Sequence, residues 1–79
     1  MARYYFHIRR GETTTAQDLE GLEFATPEMA IEEAIKAARE IVAEMVLAGR
    51  RVEEQEFEIR SSDGAVLKIV SFKSAAGLD

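Results

Sequence analysis

Between Pro27 and Ala48, and nowhere else for so long, apolar residues recur at helical steps. Ile31, Ala34, Ile35, Ala38, Ile41, Val42 and Met45 would make one stripe about 100° wide on a helix. Glu32, Glu33, Lys36, Arg39, Glu40 and Glu44 fall on the other side, which reads as a solvated face. The ends are marked as well. Thr26 suits the N-cap, Pro27 the first helical position and Glu28 the positive end of the dipole. Gly49 can adopt the left-handed conformation that stops a helix, with Arg50 and Arg51 beside the last carbonyls. A helix of roughly six turns follows.

Elsewhere the pattern is of period two. Arg3 to Arg9 alternates, with Tyr4, Phe6 and Ile8 assigned to the helix side and Tyr5, His7 and Arg9 to the other. Arg10 to Gln17 is polar and aperiodic, so it reads as a loop, and Leu22 to Phe24 as a short strand. Glu54 to Arg60 alternates with Phe57 and Ile59 inward. Ser61 to Gly64 is a turn, and Ala65 to Phe72 should return antiparallel. Both faces of that last run are apolar, so its pattern does not choose which meets the helix. The stretch from Ser74 to Asp79 should fray.

These elements give an α+β, two-layer domain over residues 1–79. One long helix lies on one face of a three- to four-stranded antiparallel sheet, in the order β, short β, α, β, β. A domain this small buries only about 60% of its unfolded surface, and with no cysteine neither disulfides nor thiolate metal sites can supplement its core. No apolar run approaches a membrane span and the opening MARYYFHIRR lacks a signal-peptide pattern, so the expectation is a cytoplasmic protein. A net charge of −5 opposes broad nucleic-acid binding, although Arg3, Arg9 and Arg10 make the first ten residues a basic island without an acid.

Chemistry-bearing patterns are sparse. His7, the sole histidine, has no second ligand at metal-site spacing and reads as a surface or interface residue. Serines 61, 62, 71 and 74 lie in no nucleophile pattern. Glu12, Asp18, Glu20 and Glu23 lack the spacing of a calcium loop and read as a solvated acidic loop. Gly11 and Gly21 form no phosphate-binding motif. Tyr4, Tyr5 and Phe6 beside the arginines have the character of an RNA-stacking strand, but the net charge and a core role for Tyr4 and Phe6 stand against it. No catalytic, cofactor or metal residue is assigned.

The opening Arg3-Tyr4-Tyr5-Phe6-His7-Ile8, the Asp18-x-Glu20-Gly21, an Ala-rich helix ending Ala48-Gly49-Arg50, and Phe57-x-Ile59 followed by Asp63-Gly64-x-Val66-Leu67 and Val70-x-Phe72 together resemble a family of short bacterial proteins of unknown function. The resemblance covers nearly the whole chain and implies no activity. Members often carry an acidic loop after the first strand, where this chain has Thr13 to Ala16, so no shared metal site is implied. Over about a third of the chain, Asp18-Leu19-Glu20-Gly21 and Ile31 to Ala38 are also similar to small antitoxin domains of toxin–antitoxin pairs.

A helix that covers one sheet face leaves the other open, and an open apolar face recruits a partner. The expected role is a non-enzymatic interaction or regulatory module, homodimeric or with another protein partner, with Tyr5, His7, Arg9, Val70 and Phe72 on the partner surface. The alternative is an antitoxin-like or nucleic-acid-associated regulator.

Overall fold

In a computed structural model describing residues 1–78, the periodic segment forms α1, Pro27–Leu47. The Thr26 hydroxyl accepts from the Met29 N–H at 3.2 Å. At the other end Gly49 takes φ 71°, and the Arg50 N–H closes the helix on Met45 O at 2.8 Å. The apolar stripe faces the sheet, as its spacing requires. Its buried centre is the small-residue line Ala30, Ala34, Ala38 and Val42, with Ile31, Ile35 and Ile41 half-buried on its flanks. Alanines let the helix axis come close to the strands.

The sheet is antiparallel and has five strands. They are β1 (Ala2–Arg10), β2 (Thr13–Ala16), β3 (Leu22–Phe24), β4 (Glu56–Ser61) and β5 (Val66–Ser71). Their order is β2-β1-β4-β5, and β3 also pairs with β1. Thus β1 has β4 along one side, while β2 and β3 share the other, at its two ends. β2 corrects the loop expected there. Thr13-Thr14-Thr15-Ala16 is exposed throughout, so its β-branched threonines favour extended chain while no buried face imposes an alternation.

Pairing settles the faces of β5. Phe57 lies opposite Val70 and Glu58 opposite Ile69, so Val70 is inward with Phe57. A register shift between Ile59 and Arg60 then sets Val66, rather than Leu67, opposite Arg60. One extra residue brings Val66, Leu67 and Ile69 to the same outer side.

After β5 the chain does not continue as strand. Ser71 caps a short helix α2, Phe72–Ala75, its hydroxyl accepting from the Ser74 N–H at 3.2 Å. The Phe72 N–H donates to Gln55 O at 2.9 Å, and its ring meets Phe57 at 4.9 Å. The segment expected to fray therefore docks: Arg39 Nε donates to Ala75 O at 2.6 Å, and the Leu78 N–H to Lys73 O. Asp79 lies outside the described residues. The core joins Ala34, Ala38 and Val42 to Phe57, Ile59, Val70 and Phe72. Among the described residues no helix is long and apolar enough to cross a membrane.

Candidate functional site

The first place to look is β1, which carries the sole histidine and three arginines. In the gap between its pairings with β2 and β3, the Phe6 N–H is taken by Asp18 Oδ2 at 3.0 Å. The other oxygen, Oδ1, accepts from the Glu20 N–H at 3.1 Å and the Gly21 N–H at 3.0 Å, an Asx turn. The Asp18 N–H in turn donates to His7 Nδ1 at 3.0 Å. Arg3 completes the closure, its guanidinium donating to Glu20 O at 2.7 Å. Burial works against the Asp18 charge, but the N–H groups of Gly21, Phe6 and Glu20, with His7 nearby, outweigh it and hold the carboxyl below the usual aspartate value.

Gly21 makes this closure possible. Its φ is 68°, and a Cβ there would stand 2.7 Å from Tyr4 O and 3.0 Å from Arg3 Cγ and Tyr5 Cδ2. No larger residue fits without displacing β1. The opening strand and the Asp18-Leu19-Glu20-Gly21 turn are one interlocked unit.

On the outer face, Glu58 is only 6% exposed although its strand position points it away from the helix. Both its oxygens are occupied, by Arg9 Nη1 at 2.8 Å and Arg60 Nε at 2.6 Å. The Arg60 hydrogen bond is the main cause holding its carboxyl below the ordinary glutamate range, with Arg9 adding to it against the cost of burial. The network is closed by Arg9 on Gly11 O and Arg60 on Gly64 O. Arg3 also pairs with Glu23, and Arg10 with Glu53, so the basic island is met by acid on every side.

Of the expected partner surface, Tyr5, His7 and Arg9 do share the outer face, half-buried beside Glu58 and Arg60. Val70 and Phe72 do not. They are 6% and 1% exposed in the core under α1, because Val70 pairs with inward Phe57 and α2 turns Phe72 beneath the sheet. The outer residues of that segment are Val66, Leu67 and Ile69, exposed by 48%, 38% and 38% on a strand whose far edge pairs with no other strand among the described residues. The Glu12, Glu20 and Glu23 residues stay exposed, and no cluster of three metal-ligating side chains occurs among the described residues. A groove also opens between α1 and the Gln17–Leu22 segment, on the helix side of β1.

A family model described as a domain of unknown function, DUF6894, matches residues 3–73. The chain belongs to that family. No curated protein and no solved structure matches it. In this DUF6894 chain the matched span holds both the β1 opening and the Asp18 turn, which the structure joins. Sequence reasoning missed Asp18 as their link, and missed the burial of Glu58. An Asp three residues before a Gly is a turn signal that pointed to the first; nothing local pointed to the second.

Proposed function

We propose that this chain is a small non-enzymatic interaction module of the cytoplasm that works as a homodimer, joined through β5. The observation carrying this reading is that β5 is an open edge bearing Val66, Leu67 and Ile69, all exposed. An edge strand offers a row of unpaired N–H and C=O groups to another chain. No proline interrupts this one, and its one charge, Lys68, stands opposite inward Ile59 and so on the side away from Val66, Leu67 and Ile69.

A second copy suits this edge. Antiparallel pairing is self-complementary, so the same six residues serve both copies about a two-fold axis. It also carries each copy's Ser62–Ala65 turn, with exposed Asp63, toward the start of the other's α2, with Lys73. Opposite charges then meet at both ends of the joint strand pair. Light scattering tests it: two chains per particle support the reading, and one chain per particle at all concentrations removes it.

A nucleic-acid-associated regulator has less support. Arg3, Arg9 and Arg10 are each engaged by a carboxylate, and freeing Arg9 for phosphate would leave buried Glu58 with Arg60 alone. Retention of RNA or DNA at low salt, lost on Arg9 and Arg10 substitution, would restore that alternative.

A further inference from the structure

The α1 helix covers the β4 and β5 end of the sheet more than the β1 end, so apolar surface survives on the helix side of β1. There the Phe6 and Phe57 rings, 6.4 Å apart, form the floor of a groove of about 610 Å³. Ala34 and Ala37 of α1 make one wall, small enough to admit a polypeptide backbone, while Leu19 and Leu22 make the other. Those leucines are 78% and 55% exposed, on the segment that Asp18 and Gly21 fasten to β1. Apolar side chains so placed stand in water by virtue of a closed, hydrogen-bonded turn.

The rim is acidic. Glu33 on the helix wall and Glu20 on the turn both border the groove, and among the described residues neither has an ion-pair partner. From an apolar floor between two unpaired carboxylates, we infer that this groove binds a short peptide segment whose apolar side chains are flanked by Lys or Arg. A small apolar molecule on the floor would leave Leu19 and Leu22 wet, whereas a chain running along the groove covers them and brings cations to Glu20 and Glu33. Helix wall and apolar anchors match the general chemistry of peptide grooves. No residue of β5 lines the groove, so its occupancy is separable from pairing of two copies.

Fluorescence anisotropy with a labelled peptide of leucines flanked by lysines is the test, beside the same peptide with glutamates for the lysines. The lysine peptide binds and the glutamate peptide does not. Leu19→Asp abolishes binding with thermal unfolding unchanged, and the Glu20→Gln, Glu33→Gln double variant weakens it by about tenfold. The Glu28→Gln, Glu40→Gln double variant, away from the groove, leaves it intact. Equal loss from the two double variants, which remove the same charge, would mean attraction to the net charge of −5 alone, and would overturn the assignment. So would binding that survives Leu19→Asp, or full displacement by an equal concentration of a simple alkylamine. Loss of peptide binding in Ile69→Lys would move the site to the β5 edge and overturn it too.

Discussion

The Asp18 carboxylate takes the Phe6 N–H at 3.0 Å across twelve residues of chain, and so fills the gap in the β1 ladder that β2 and β3 leave between them. A backbone donor on a strand edge needs a partner, and here a side chain supplies it. The same carboxylate folds its own turn, which ties the best-marked strand to the best-marked loop.

Asp18→Ala removes an acceptor from three N–H groups at once. Because the site is only partly buried and water can replace some bonds, the cost should be about 1–3 kcal/mol, read from the urea midpoint at neutral pH. The pH dependence has a definite sign. With the folded pKa below the unfolded one, the unfolded chain takes up the proton first, so the carboxylate's contribution is full above the ordinary aspartate range and is lost as pH falls through the lowered value. Asp18→Asn should flatten that part of the acid-unfolding curve; an unchanged curve would deny the carboxylate this role.

Gly21→Ala should be worse than the loss of a conformational preference. Gly11 also has a positive φ, 62°, but a Cβ there meets nothing within 4 Å. Gly11→Ala should therefore cost about 1 kcal/mol, and Gly21→Ala roughly 2–3 kcal/mol because Tyr4 O must also move. Thermal unfolding of the two variants side by side reads the difference, and equal shifts would show that the close approach does not matter.

Glu58→Gln keeps the shape but halves the attraction to Arg9 and Arg60. Both arginines reach solvent, so the loss should be about 1–2 kcal/mol at pH 7. Since this carboxyl is also held low, wild type and variant should converge as pH falls below the usual glutamate range, a convergence that paired denaturation curves at acid and neutral pH would reveal.

Local signals carried most of the fold. Thr26, Pro27 and Gly49 bound α1 because caps are local chemistry, and β1 and β4 alternate because one face of each, with Phe6 and Ile8 or Phe57 and Ile59, meets the apolar core. Thr13 to Ala16 is not legible as a strand since neither of its faces is buried; Ala65 to Phe72 is legible as one, but the bulge opposite Ile59 and Arg60 breaks its period and hides which side faces the helix. Phe72 continues the alternation of Val70 yet belongs to α2, where Ser71 and Ser74 form the cap that ends the strand. The candidate surface was half legible. Tyr5, His7 and Arg9 face outward by simple alternation, but the burial of Glu58 depends on arginines 49 residues before it and two after it in the chain. Such pairings have no local trace.

The account rests most heavily on β5 as a joining edge, and light scattering of wild type beside Ile69→Lys addresses that directly. Ile69 is outward and 38% exposed, so the variant should still fold, melting at a temperature independent of its concentration, while placing a charge on the edge. On the order of tens of micromolar, wild type should scatter as twice the 8.8 kDa chain mass and Ile69→Lys as that mass alone. Wild type running as one chain throughout that range, or Ile69→Lys remaining paired, would contradict it.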